Sequence, residues 1–259
     1  MTYPQVADEF ETIRRIRKGR SLARYGDGEL KIMGHHVIAY EPERQPALAA
    51  ELRRIARRPH KNCLIGIPTM DPAGSRYENF KGYRSRFMAW FNNQTRHKYV
   101  SAFISRPDCH ERLETREYYE AVISIWAGKR RIALVAPEDS ALLAYLCMTH
   151  PVGVWHVTCP PIGAYAEIDR LEREVMEGES DIALLSCGPT ATALAHRLTL
   201  QGLQAIDIGS IGGFLLRWHE NRPRPTNDQE YKAERDGPET NSASAAKFSG
   251  QGQSQAALP

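Results

Sequence analysis

The sequence predicts an α/β protein: one mostly parallel sheet with helices on both faces, in a single domain followed by a disordered C-terminal tail. Three observations carry this. Short apolar runs alternate with helix-length amphipathic segments along most of the chain, and strands separated in that way imply βαβ units. The runs Ile132 to Val135 and Ile182 to Leu185 are apolar without interruption, as strands covered on both sides are. After Glu220 the composition changes to Pro, Asn, Ser, Gln, Gly and charge, with hardly any Val, Ile or Leu. Such a segment cannot bury enough apolar surface to offset its ordering entropy, so residues 221–259 are read as the tail and 1–220 as the folded domain.

The elements follow in order. "FETIRRIRKGR" carries Phe10, Ile13 and Ile16 at helical spacing and closes near Gly19. "SLARYG" reads as a strand, and a helix carrying Leu30 and Met33 follows it. "PALAAELRRIARR" is a second amphipathic helix feeding the strand "NCLIGIP". The aromatic-rich stretch from Tyr77 to His97 is read as helical, "YVSAFIS" as a third strand, and "ERLETREYYEAVISIWAGK" as a long helix. Strand, turn and helix then recur in "RIALVAPEDSALLAYLC", "GVWHVTCPPIGAYAEIDRLEREVMEG", "DIALLSCGPTATALAHRLTLQG" and "LQAIDIGSIGGFLLRWH".

Bulk properties remove several function classes. A net charge of +3, from 34 basic and 31 acidic residues, is too small to argue for nucleic acid. No apolar stretch reaches the roughly 20 residues needed to span a bilayer. The charged opening "MTYPQVADEFETIRRIRKGR" does not read as a secretory signal, so the expected location is cytoplasmic. The five cysteines form no CxxC pair, and their odd number in apolar surroundings suits reduced, mostly buried thiols. The histidines show no HExxH or other zinc spacing. No GxGxxG follows a strand, and "AGKRR" lacks the remaining parts of a P-loop, which disfavours dehydrogenases and P-loop NTPases.

In open α/β sheets, ligands bind beyond the carboxyl ends of the strands. Acids, glycines, an arginine and helix starts gather there: Asp27-Gly28-Glu29, Asp71, Ser105-Arg106, Asp108, Glu138-Asp139, Cys187-Gly188-Pro189-Thr190 and Gly209-Ser210. Mg²⁺ and Mn²⁺ take oxygen ligands and keep water and substrate phosphate in their shell, so one or two carboxylates suffice. Asp27 and Glu29, at i and i+2, share a face if the chain is extended there, and Gly28 leaves room for a ligand. The other reading makes Asp27 a helix cap. "SCGPTATALAHRL" places Gly188, Pro189 and Thr190 at a strand-to-helix turn, where free amides and the helix dipole suit a diphosphate; a turn without ligand reads equally well. Arg106 could fork onto phosphate or form a surface ion pair. Arg24, inside a strand, needs an anion in the cleft or an internal acid. His35-His36 read as a helix end, and Cys187 as an unreactive strand-end thiol.

"LARYGDGEL", "FISRPD", "SCGPTATALAHRL" and "QAIDIGSIGGFL" together resemble the bacterial GT-D-fold glycosyltransferases, long catalogued as a domain of unknown function, over about Phe10 to Trp218. The resemblance implies a Rossmann-like domain that moves a sugar from a nucleotide sugar, typically a UDP-sugar, to a saccharide hydroxyl in surface glycan, polysaccharide or glycoprotein synthesis. It implies Mn²⁺ or Mg²⁺ held by the D-x-E motif, Asp27-Gly28-Glu29, as the catalytic centre; Glu29 could instead hold ribose or sugar hydroxyls. Around this pair, Arg24, Gly26 and Gly28, then Ser105 and Arg106, are assigned to substrate binding. Gly188, Pro189, Thr190, Asp207 and Ser210 complete that set. Where the family tends to carry His after "DIG" this chain has Ser210, and where it tends to carry Asn this chain has Gly163; these departures point to a changed acceptor or weakened activity. Two other readings stand beside the enzyme: a non-catalytic nucleotide-sugar binding module and, from the tail alone, a regulatory interaction protein. The reading assigns no nucleic-acid partner and no oligomeric state.

Overall fold

The computed structural model describes residues 3–70, 82–91, 98–109, 113–150, 153–225, 229–230 and 232–233. Eight parallel strands form one sheet in the order β1-β4-β3-β2-β8-β7-β5-β6. They are β1 (Val6–Ala7), β2 (Ser21–Arg24), β3 (Cys63–Ile67), β4 (Tyr99–Ser101), β5 (Ile132–Ala136), β6 (Val154–Thr158), β7 (Ile182–Leu185) and β8 (Ala205–Asp207). The predicted α/β class is therefore observed, and the sheet is parallel throughout.

Both faces are covered because successive strand residues alternate sides. Ala23, Ile65, Ile67, Val135 and Leu185 enter one apolar cluster, whereas Leu22, Leu64, Leu134 and Leu184 enter the other. The first cluster is closed by α2 (Asp27–Met33), α3 (Pro46–Arg57), α4 (Arg84–Trp90), α7 (Ile168–Glu177) and α8 (Thr190–Leu200). The second is closed by α1 (Glu9–Arg17), α5 (Arg116–Ile123), α6 (Ala141–Thr149) and α9 (Gly212–His219). α8 is buried along nearly its whole length, and its alanines Ala191, Ala193 and Ala195 let it lie close on the sheet.

Several local expectations shift. The two-residue edge strand β1 carries no readable pattern and was not anticipated from the sequence. Phe10 is 37% exposed and Glu9 is buried instead, its carboxylate accepting from the Ser101 hydroxyl at 2.8 Å. The strand expected through "YVSAFIS" stops at Ser101, whose side chain caps a 3₁₀ helix over Ala102–Ser105. The helix expected from Tyr77 to His97 is seen as α4; residues 77–81 and 92–97 lie outside the described residues, as do Asp71 and most of the expected tail. The long helix before β5 is regular only over α5.

The connectivity determines where a ligand can sit. β2 and β8 are neighbours, yet the chain leaves β2 into α2 on one face and leaves β8 into α9 on the other. Divergence of two adjacent connections opens a crevice at the carboxyl edge, the position at which open α/β sheets bind ligands.

Candidate active site

A cleft of about 340 Å³ occupies that crevice. Its lining combines the end of β2 and start of α2 (Arg24, Gly26, Asp27, Gly28, Glu29) with the 3₁₀ segment after β4 (Ser105, Arg106). Gly188 and Pro189 before α8, and Asp207 and Ser210 around the end of β8, complete it. Eleven of the twelve site residues predicted from the sequence thus border one cavity. Thr190 does not.

The acidic pair is placed differently from the extended picture. Asp27 and Glu29 are the first and third residues of α2, so they do not share a face; both reach the cleft because it lies at the helix terminus. Asp27 is not the cap. Gly26 holds that position, and the Glu29 carboxylate accepts from the Gly26 N–H at 2.6 Å, satisfying one of the amides a helix start leaves open. Asp27 pairs with Lys31 one turn on, at 2.8 Å, with both side chains substantially exposed. Such a pair contributes little stability and is readily exchanged for another cation.

Glu29 is only partly exposed and closely surrounded. Burial pushes its carboxyl up to about 7 from an ordinary 4.5; the Asp207 charge adds to this and the Gly26 amide opposes it. Between those two pH values the folded chain holds a proton that the unfolded chain has released. Glu29 therefore favours folding at low pH, and its contribution is lost as pH rises through about 7. Glu29→Gln should remove that part of the slope in thermal unfolding temperature between pH 4.5 and 7.5, which scanning calorimetry at matched ionic strength will read.

Arg24 is held in the wall through both of its terminal nitrogens, while its buried Nε has no hydrogen-bond partner among the described residues. Its guanidinium donates to Ala102 O at 3.0 Å, to the Ser105 hydroxyl, and to Asp207 Oδ1 at 2.6 Å. Asp207 is 4% exposed; burial raises its carboxyl, and the Arg24 charge opposes this. Gly209 is required beside them. Its φ is +54°, and a Cβ there would lie 2.2 Å from Arg24 Nη2. Arg106 does not follow a strand, and its fork is closed on Asp108 through two 2.8 Å hydrogen bonds. It borders the cleft as half of an ion pair, one of the two readings the sequence allowed.

The turn into α8 has the expected backbone, with Gly188 at φ +59° and Pro189 preceding the helix. Two expectations about it change. The Ala191 amide is used within the turn, donating to Gly188 O at 3.0 Å. Thr190 is wholly buried, and its hydroxyl donates to Glu41 Oε1 at 3.3 Å instead of facing the cleft. Thr190→Val should therefore act on folding, at about 1 kcal/mol for one buried hydrogen bond lost while the Tyr165 amide still donates to the same oxygen, and urea unfolding tests this. An unchanged midpoint would show that the contact contributes nothing.

Other strand-end acids lie elsewhere. Glu138 and Asp139 border a separate, open depression with Arg170 and Pro160-Pro161. Cys187 is buried, and its thiol is held well above the usual range by the neighbouring Cys159 thiol and by burial, so it is no thiolate nucleophile. His35 and His36 end α2, their amides donating to Ile32 O and Lys31 O. Four of the five cysteines are buried, and Cys147 is exposed. No helix of the described residues is long and apolar enough to cross a membrane.

Sequence reasoning missed the segment after α2. Ile38 and Tyr40 line the cleft, and Glu41 is 1% exposed beneath them. "HHVIAYEPERQP" has no periodicity, so no local signal marks it. Gly163, where the family pattern tends to have Asn, is at φ +71° and donates its N–H to Tyr40 O at 2.8 Å. Gly and Asn both tolerate that conformation, so the departure removes a side chain without altering the backbone.

A fully parallel α/β domain with a carboxylate-lined crevice where its connections diverge is a Rossmann-like architecture that binds its ligand at that edge. The chain belongs to the glycosyltransferase GT-D fold family, whose model matches residues 22–220. It is 27% identical over 206 residues to a probable glycosyl transferase, Gly, of Streptococcus gordonii, covering 76% of this chain and 30% of that protein. It is 22% identical over 205 residues to glycosyltransferase GlyD of Streptococcus pneumoniae, covering 76% and 25%. The chain thus spans less than a third of the length of these curated relatives. Among solved structures it matches domain of unknown function 1792, described as having a distinct glycosyltransferase fold, with TM-score 0.74, 25% identity, and 87% and 86% of the two chains covered. A glycosyltransferase of the same domain type from Streptococcus sanguinis shares the fold at TM-score 0.70, 24% identity, and 85% and 87% coverage.

Proposed function

We propose that this chain transfers a sugar from a nucleotide sugar, with UDP as the nucleotide, to a saccharide hydroxyl. The observation that carries the reading is the shared cleft: the two carboxylates of α2 and the glycine-containing turn into α8 border one cavity at the crevice of a GT-D fold.

The carboxylates suit a divalent cation. They are hard oxygen donors, and among the described residues Asp27 is engaged by the half-exposed Lys31. Among the described residues no group of three His, Cys, Asp or Glu is arranged to hold an ion unaided, so water and donor phosphate would complete the shell around Asp27 and Glu29. Mn²⁺ or Mg²⁺ bound there supplies Lewis-acid stabilisation of the departing diphosphate. The chain's own residues do the rest. The Gly188–Pro189 turn brings the start of α8, with its dipole, against the remaining phosphate charge. Arg24, held by Asp207 and Ser105, keeps β2, β8 and the 3₁₀ segment in register around the donor. Ser210 offers a small hydroxyl to the substrate. The reaction is placed in the synthesis of a surface glycan, polysaccharide or glycoprotein, on the cytoplasmic side.

The deciding experiment is a screen of nucleotide sugars, with Mn²⁺ and with Mg²⁺, for release of free nucleotide with and without simple saccharide acceptors. Metal-dependent release of UDP is the expected result. Binding of UDP-sugars without turnover under any divalent metal would make the chain a binding module instead.

A further inference from the structure

We propose that Tyr40 is the stacking platform for the nucleobase of the donor, carried on a flap, residues 35–41, that bridges the two helix termini of the cleft. The inference rests on the nucleotide-sugar reading and adds the part of the donor which that reading leaves unplaced.

Position comes first. A Cβ on Gly28 would lie 3.4 Å from Ile38 Cδ1, so the flap packs against the first turn of α2, between Asp27 and Glu29 in the chain. A Cβ on Gly188 would lie 3.5 Å from Tyr40 Cβ and 3.7 Å from Tyr40 Cγ, so the tyrosine stands over the turn into α8. The flap thus touches both elements assigned to the diphosphate. A base joined to that diphosphate through one ribose must lie close by.

Chemistry distinguishes the two sides of the cleft. Arg24, Ser105, Arg106 and Asp207 make one wall polar and charged, suited to sugar hydroxyls. Among the described residues, two aromatics line the cavity: Phe103 is 8% exposed, whereas Tyr40 is 43% exposed. A planar base has an apolar π-face that a tyrosine ring accepts irrespective of sequence or substituent.

The platform is also rigid. Ile38 and Glu41 exchange backbone hydrogen bonds at 3.0 and 3.1 Å, and Tyr40 O accepts from Gly163 at 2.8 Å. The buried Glu41 carboxylate accepts from the Tyr165 amide at 3.4 Å and the Thr190 hydroxyl at 3.3 Å. Pinning the backbone on both sides of Tyr40 lowers the ordering cost of binding.

The test is a two-by-two comparison: UMP against ribose 5-phosphate, which differ only in the base, on the wild-type chain and on Tyr40→Ala. It is read by calorimetry with Mn²⁺ present, and UDP affinity and unfolding temperature are measured alongside. The wild type should prefer UMP by roughly 10-fold, the scale of one base-aromatic stack. Tyr40→Ala should lose most of that preference and weaken UDP by a similar factor, while Tyr40→Phe retains both at an unchanged unfolding temperature. Unaltered preference in Tyr40→Ala overturns the proposal. So does a raised acceptor KM with UDP affinity intact, which would assign the ring to the acceptor. If the wild-type chain binds UMP and UDP no better than ribose 5-phosphate and pyrophosphate, the donor reading itself falls, and the platform with it.

Discussion

Asp27→Ala and Glu29→Ala should each reduce metal-dependent release of UDP from the preferred UDP-sugar by on the order of 100-fold or more, the scale of losing Lewis-acid stabilisation of a leaving diphosphate. Their effects on folding should differ, which makes the pair informative. Among the described residues Asp27 forms a largely exposed pair with Lys31, so its removal should cost under about 1 kcal/mol. Glu29 also satisfies the Gly26 amide at the start of α2. Losing that contact should cost about 1 kcal/mol, as helix-cap losses do, or roughly 2–4 °C in a chain of this size. Glu29→Gln keeps an acceptor for Gly26 while weakening any cation site, so it should fold like the wild type and still lose turnover. Nucleotide release together with thermal unfolding checks all three. Early unfolding of both alanine variants, with residual turnover in the folded fraction, would mean that the pair caps a helix and nothing more.

Arg24→Met should give the largest loss of stability. It leaves the Asp207 carboxylate, 4% exposed, without its cationic partner and with the residue-24 backbone amide and the Thr192 hydroxyl, at 3.5 Å, still donating to it. Breaking a buried ion pair from one side costs about 3–5 kcal/mol, because the remaining charge stays buried without its partner. At roughly 2–4 °C per kcal/mol, the unfolding temperature should fall by on the order of 10 °C. Adding Asp207→Asn should recover more than half of that, since the stranded charge is then gone, and the double variant should bind UDP more weakly because the ion pair that holds the Arg24 side chain in the cleft wall is lost. Circular dichroism melts of the two single variants and the double variant measure the coupling directly. A fall of less than 2 °C for Arg24→Met would show that the pair does not hold the cleft wall.

These two predictions fall on either side of what local pattern could reach. The order of strands and helices, the two-sided burial of β5 and β7, and the collection of polar residues at the strand ends all follow from periodicity and turn chemistry within short windows. Eleven of the twelve residues assigned through the family resemblance meet in one cleft, most of them at strand ends that this pattern also marks. The same windows could not show that Asp27 and Glu29 stand in a helical turn, where i and i+2 diverge, because an Asp-Gly-Glu triplet fits an extended or a helical backbone. Nor could they show which way Thr190 turns, since its partner Glu41 is 149 residues away.

What the sequence determined by itself is therefore the class of fold, the parallel sheet and the edge on which chemistry can occur, since each is read from local periodicity, the alternation of strand and helix patterns, and turn chemistry. The tertiary structure alone decided that β8 lies beside β2, that Arg24 is held by Asp207 across 183 residues, and that an unpatterned loop brings Tyr40 over the cleft. Pairings at that separation arise only when the whole sheet closes and its buried charges must find partners.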